Sequence, residues 1–443
     1  MNLFKLAGVL AFGFVLGTTA FAQEFAVSSS TNLGFASPPA APLSLSQRLD
    51  GQYSLSFDKL GSGLEVRAHA QAAALPSPAS LGADLDMLAV TLVFPQPASD
   101  LKALKWTLGR FAVSEPTGLI LNLAADGTKL DFDYNGFDLS VTTAYTGFVF
   151  RASSGVTLTL ADQAAANELF ASPRFIGSVE GSMNLFKAHR FTLSALAQQD
   201  LNPRDRYTPE WSSLFTGERG GALDTQYLTF KAQGPVTGVD RLFYEAFGTF
   251  GAGSTLSWLT DTTSPTGYVY QYKPILASLF GTTFSYFLPQ TFSSSYSLRV
   301  LIASGDVDAT SAVEGNSKDD SNLFVPVTPG SLGVVFNPAL SNLVFYELGG
   351  SLKPVDGMPL VVGVKLLGFQ RAVLGVVGAP GVQRTGPGWL GQELDVTSSW
   401  QALSDLTVSA SVGAFIPSAG TFASGTPEAG LQYAVKTGVN LSL

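Results

Sequence analysis

Apolar and polar residues alternate one for one along this chain, in segment after segment, with turn residues in between. Tyr53, Leu55 and Phe57 fall on one side of residues 52–57, with Ser54 and Ser56 on the other. After a Gly61-Ser62-Gly63 turn the pattern resumes through Leu64-Glu65-Val66-Arg67-Ala68. Leu130, Phe132 and Tyr134 alternate with Lys129, Asp131 and Asp133, and Tyr296, Leu298, Val300 and Ile302 oppose Ser297, Arg299, Leu301 and Ala303. Leu394, Val396 and Trp400 oppose Glu393, Asp395, Thr397 and Ser399. The closing segment sets Leu431, Tyr433, Val435, Val439, Leu441 and Leu443 against Gln432, Lys436, Asn440 and Ser442. Successive side chains of a strand point to opposite faces, so the pattern predicts antiparallel strands whose two faces meet unlike surroundings.

A soluble β-sandwich alternates as well. Three features move the expectation to a membrane barrel. Many alternating segments reach about ten residues, the length of a tilted transmembrane strand. Aromatic residues gather near segment ends, as in Phe284-Ser285-Tyr286-Phe287 and Tyr268-Val269-Tyr270-Gln271-Tyr272, where an interfacial girdle would place them. Charged residues make up only 13% of the chain while hydrophobic ones make up 46%, yet no apolar run is long enough to span a bilayer as a helix. The expected fold is therefore all-β, a transmembrane antiparallel up-and-down β-barrel of about 16–18 strands, with about 14 as the lower bound.

Residues 1–22 read as a cleaved signal peptide: Lys5, an apolar run from Leu6 to Leu16, then Ala20-Phe21-Ala22. Residues 23–49, rich in Ser, Pro and Ala, read as an irregular lead-in, and residues 50–443 as the barrel. With so short a lead-in, an N-terminal plug domain is not expected. Polar connections at 199–221, 304–322 and 379–388 read as outward-facing loops, and residues 161–169 as a short helix. The apolar terminal strand is the expected signal to the barrel-assembly machinery, and outer-membrane lipid the expected surroundings.

The net charge of −9 offers no basic patch, so nucleic acid is not an expected partner. The absence of Cys excludes disulfides, thiolate nucleophiles and cysteine metal sites. The two histidines, His69 and His189, stand in no metal-ligand spacing and in no hydrolase constellation, so neither catalysis, a metal nor a cofactor is expected. An acidic stretch over 305–320 carries Asp306, Asp308, Glu314, Asp319 and Asp320 and reads as a solvated loop rather than a calcium site.

A charge facing mid-bilayer lipid costs on the order of 2–4 kcal/mol, so charges on alternating strands are expected to face the lumen. By that rule Arg110, Lys129, Asp131, Asp133, Arg241, Glu245, Arg299, Glu347, Glu393 and Asp395 are the candidate lumen and selectivity residues. Both signs occur, so wall-internal ion pairs and a selectivity ring are both open to them.

The stretch Leu390-Gly391-Gln392-Glu393-Leu394-Asp395-Val396, followed by Trp400, Leu403-Ser404-Asp405-Leu406 and Gly413-Ala414-Phe415-Ile416-Pro417, resembles the closing hairpins of the alginate-export family of outer-membrane porins. The resemblance covers about the last 55 residues. It implies a monomeric barrel of about 18 strands with a charged lumen for an anionic polysaccharide or another small polar solute. The functional expectation is a passive outer-membrane channel for small hydrophilic or anionic, saccharide-like solutes. A surface adhesin or structural barrel and an outer-membrane barrel enzyme are the alternatives.

Overall fold

The computed structural model describes residues 22–37, 43–75, 80–159, 162–163, 168–186, 188–202, 220–260, 262–263, 268–309, 311–313 and 320–442. They form eighteen strands: β1 (Ala22–Ala36), β2 (Leu43–Ser56), β3 (Gly63–Leu75), β4 (Ser80–Ala98), β5 (Leu101–Ser114), β6 (Asn122–Tyr134), β7 (Phe137–Tyr145), β8 (Arg174–Leu185) and β9 (His189–Asp200), then β10 (Gly220–Pro235), β11 (Leu242–Thr260), β12 (Tyr268–Leu288), β13 (Ser294–Ala303), β14 (Leu343–Leu352), β15 (Leu360–Arg371), β16 (Trp389–Gln401), β17 (Leu406–Pro417) and β18 (Gln432–Ser442). Each strand pairs antiparallel with its sequence neighbours, and β1 pairs with β18 from Ser28↔Ser442 to Ala36↔Ala434. The sheet thus closes on itself, and no strand keeps a free edge along its whole length.

One expectation is overturned at the N-terminal side. The described residues of 23–49 are not irregular: they supply β1 and half of β2, paired from Ala22↔Ser56 to Phe35↔Leu43. Between Phe25 and Leu33 the outward positions are Val27, Ser29 and Thr31, so small polar residues dilute the alternation that marks strands elsewhere. Pairing on both sides, with β2 and β18, supplies the order that side-chain pattern does not. Residues 1–21 of the expected signal peptide and most of the expected helix at 161–169 lie outside the described residues.

Connections differ between the two ends of the barrel. Those after even-numbered strands are short, such as Ser99-Asp100 and Asn135-Gly136, the latter with Gly136 at φ 87°, a left-handed conformation that glycine adopts without strain. Those after odd-numbered strands include the long stretches 146–173, 304–342, 372–388 and 418–431. Ala22 and Ser442 both lie at the short-turn end.

Alternation along the wall separates an apolar outer face from a mixed interior. In β13 and β14, Tyr296, Leu298, Ile302, Tyr346 and Leu348 are exposed, whereas Leu301, Ala303, Leu343, Phe345 and Glu347 are buried. The exposed aromatic pair Phe250 and Phe280, ring centroids 5.8 Å apart, lies on the outer face, whereas Phe243 and Phe287, also 5.8 Å apart, share the inward parity of Glu245 near the short turns. The interior in turn has two zones. Toward the long loops its inward positions are apolar and packed into one buried cluster with residues 323–340; toward the short turns they are charged.

Candidate functional site

The interior is narrowed by chain that leaves the wall. β4 pairs with β5 only as far as Leu88↔Arg110, and β7 pairs with β6 only from Asp126↔Tyr145. Beyond those points β5 and β6 bond only to each other, from Phe111↔Ala125 to Ser114↔Asn122, so the hairpin tip turns inward. Gly109 marks the departure: at φ 111°, a Cβ there would lie 2.1 Å from the Leu88 carbonyl oxygen. Arg110 fills the seam left behind. It is buried, donates to both carboxylate oxygens of Asp126 at 3.1 and 2.9 Å, and satisfies the carbonyls of Leu85 and Phe148.

The turn at the tip is wound around Glu115, whose carboxylate accepts from the backbone N–H groups of Thr117, Leu119 and Ile120 at 2.7, 2.9 and 3.1 Å. Lys231 reaches from β10 to the Pro116 carbonyl at 2.8 Å and to Glu245 at 2.8 Å. The tip therefore extends across the interior toward the β10–β11 wall.

A second segment, 323–342, meets the tip. The Thr328 N–H donates to the Ile120 carbonyl at 2.9 Å, Thr157 bonds the Val327 and Pro326 carbonyls, and the Tyr227 hydroxyl donates to the Val325 carbonyl. Its far side is fixed by β16. Glu393 accepts from the N–H groups of Val335 and Phe336 at 2.8 and 2.7 Å, and Asp395 from that of Val334 at 3.3 Å. Phe336 stacks on Phe415, centroids 4.3 Å apart, and meets Phe369 edge-on at 4.9 Å.

The loop 146–173 is held by a buried ionic knot in which Arg174 pairs with Asp162 and with Asp200, the latter at 2.8 Å. Burial by itself would raise the Asp162 pKa. The Arg174 guanidinium and hydrogen bonds from Thr159, Ser172 and Asn202 outweigh it and hold the carboxyl below the ordinary aspartate value. Arg371 organises 372–388 in the same manner, donating to the carbonyls of Gly375, Gln383 and Arg384.

The ten expected lumen residues divide into three groups. Lys129, Asp131, Asp133, Glu245, Arg299 and Glu347 are on the inward face; Lys129 pairs with Asp131 at 3.1 Å and Glu347 with Lys365 at 3.0 Å. Arg299 has no ion pair or hydrogen bond among the described residues. Arg110, Glu393 and Asp395 are buried and serve as anchors for in-folded chain, not as pore-lining charges. The sequence rule finds that these charges avoid lipid but cannot tell water from buried backbone N–H groups as the alternative. Arg241 is not on a strand: it occupies the turn before β11 at φ 63° and donates to Gln290 of the neighbouring turn at 3.0 Å.

The interior also holds charges that the sequence reading passed over: Arg48, Asp50, Glu65, Arg67, Asp84 and Asp86 on β2–β4, and Lys105, Asp138, Glu180 and Arg190 on β5–β9. Arg67 was visible in its alternating segment; Glu180 was not, because Gly177, Ser178, Gly181 and Ser182 around it carry no apolar contrast. His69 is buried against Asp86 at 2.8 Å, and His189 contacts the Tyr244 hydroxyl at 3.0 Å. Asp50, His69 and Asp86, remote in sequence, converge within 4.8 Å, a grouping no spacing rule could reveal. The fork of Arg48 already binds both carboxylates, at 2.6 and 2.9 Å.

The stretch expected as a solvated loop at 304–322 is the entry to the in-folded segment. Asp306 is buried and accepts from the N–H groups of Asp308 and Asn322 at 3.0 and 2.8 Å. Burial, reinforced by Asp308 beside it, raises its pKa. Residues 314–319 lie outside the described residues.

No protein-family model and no curated protein matches the chain. Solved structures do. The outer membrane protein OpdK of Pseudomonas aeruginosa superposes with a TM-score of 0.55 at 11% identity, covering 95% of this chain and 99% of that one. OccK2 (OpdF) of Pseudomonas aeruginosa, solved in complex with glucuronate, gives 0.55 at 12% identity over 95% and 98%. OpdK solved with vanillate gives 0.55 at 10% identity over 95% and 98%. The fold is that of these outer-membrane barrels.

Proposed function

We propose that the chain is a passive channel of the bacterial outer membrane for small hydrophilic solutes. The carrying observation is a closed eighteen-stranded barrel with an apolar outer face, a charged interior toward the short turns, and in-folded chain that narrows the path. An apolar outer face suits lipid, and a closed barrel leaves no unpaired sheet edge to expose to it. The hairpin tip at 111–125 and segment 323–342 limit solute size, and the inward charges select by sign, with no energy input. The glucuronate and vanillate held by similarly folded barrels support organic solutes of that size. The likeness of residues 390–417 to alginate-export porins adds anionic saccharides to the candidates. Export by the 1–22 signal and assembly through the terminal strand belong to the same proposal, which assigns the chain no catalysis.

A closed structural or adhesive barrel is the competing reading. One observation favours it: inward apolar residues on β5–β16 pack continuously with segment 323–342. Single-channel recording of the refolded chain in a planar bilayer separates the two. Discrete open steps are the expected result, with ion selectivity taken from the reversal potential in a salt gradient; a folded barrel that never conducts would overturn the channel reading.

A further inference from the structure

Beneath the in-folded hairpin, the inner wall of β5–β9 forms a cleft of about 380 Å³. That volume suits a small organic solute. Seven charged side chains line it, three cations and four anions. Most are already matched: Lys129 with Asp131 at 3.1 Å, Arg190 with Asp138 at 3.0 Å, and Asp133 lies 4.0 Å from Lys102. Lys105 and Glu180 remain: neither makes a direct ion pair or hydrogen bond among the described residues, and Lys129 and Arg190 attract Glu180 only from beyond contact distance. Glu180 is half-buried, and a carboxylate partly withdrawn from water without a cation in direct contact gains when one joins it.

The two unmatched charges stand on one row of the sheet. Lys105 pairs across to Asp131, Asp131 to Ser140, and Ser140 to Glu180. Three strand spacings separate them, about 14 Å between Cα atoms. Both side chains are long enough to reach inward from the ends of that row, leaving room for a short solute between their tips. The hydroxyls of Ser140, Thr142 and Ser178 line the floor. A simple anion on Lys105 would leave Glu180 unmatched and repelling, and a simple cation on Glu180 would do the same to Lys105.

We infer that this cleft is a binding subsite for a small aliphatic zwitterion, with its ammonium group on Glu180 and its carboxylate on Lys105. The inference rests on the channel reading and names a solute class for it. The wall pair of Asp138 and Arg190 flanks the cleft, and Arg190 also donates to the Ser182 hydroxyl at 2.5 Å.

The test uses γ-aminobutyrate, with butyrate and butylammonium as single-charge controls, added to open channels of the full chain in a planar bilayer. Resolved blocking events with γ-aminobutyrate are expected at concentrations where the controls give none. Glu180→Gln and Lys105→Met should each weaken the block at least about tenfold, the loss of one charge-assisted contact. Equal block by butyrate, or a block that survives Glu180→Gln, would overturn the subsite while leaving the channel intact. If no channel opens at all, the channel reading falls. The subsite is then judged by calorimetric titration of the detergent-solubilised barrel with the same three compounds, where an unranked or absent response overturns it.

Discussion

The same strands line two unlike interiors. In β14, Leu343 and Phe345 at the long-loop end are completely buried against in-folded chain, whereas Glu347, next along the inward face, pairs with Lys365 toward the short turns. In β13, Ala303 and Leu301 give way to Arg299 in the same manner. One half behaves as the core of a soluble protein, where apolar burial stabilises, and the other as a wall facing water, where charges are retained. The contrast shows that inward direction and hydration are separate properties: period-two spacing determines the first, and only the path of distant loops determines the second.

The strongest way to break this contrast is to release the filling. Replacing both Glu393 and Asp395 by Ala removes the acceptors of three backbone N–H groups. Each orphaned buried donor costs about 1–3 kcal/mol, enough to free segment 323–342 from β16. The expected result is a severalfold rise in single-channel conductance from a barrel that still resists unfolding in cold detergent. Unchanged conductance would mean that the segment does not limit the path.

A smaller loss is expected at the hairpin. Gly109→Ala forces a Cβ against the Leu88 carbonyl in a backbone region unfavourable to L residues, a strain of about 1–3 kcal/mol. A lowered urea midpoint with altered conductance is expected; an unchanged midpoint would show that the hairpin can leave the wall by another route.

Charge removal in the hydrated half should separate function from stability. Arg299→Gln removes an inward cation that holds no partner, so stability should change by no more than about 0.5 kcal/mol. The reversal potential should nevertheless shift toward cation preference. A loss of stability without a shift would place Arg299 in the packed half instead.

The smallest effect is expected from mild acid on loop 146–173. Because the folded Asp162 pKa is depressed, its contribution is present above the ordinary aspartate value of 3.8 and is lost only as pH falls through the lower folded value. Limited proteolysis should leave the loop intact at about pH 5, above the ordinary aspartate range, and cut it only well below that range. Cutting at mild acid pH would show that Asp162 is not what holds it.

The barrel itself was legible because alternation is local: a few neighbouring residues, such as Tyr296 to Ala303, suffice to identify a strand and its lipid face. β1 was missed because Ser29 and Thr31 replace apolar residues on that face. The site was legible only in part. Lys129, Asp131, Glu245, Arg299 and Glu347 follow from spacing, but Glu393 and Asp395 share that spacing and differ only in what chain covers them. The clustering of Asp50, His69 and Asp86, and the row from Lys105 to Glu180, depend on the register of several strands. That register is set by turn geometry and bulges together with the pattern of whole strands, not by the few residues that meet at the site.

The pairing of β1 with β18 also bears on how the molecule comes to exist. Ser28 meets Ser442 across nearly the whole length of the chain. Joining them costs roughly 3 kcal/mol more chain entropy than closing a ten-residue hairpin, so this seam is expected to form after the neighbouring hairpins. Segment 323–342 is tethered at the long-loop rim between β13 and β14, so it can fold in through that end after the seam has closed. Closing the wall and filling the interior are therefore separable steps, and a barrel can be complete around its circumference while its lumen is still open.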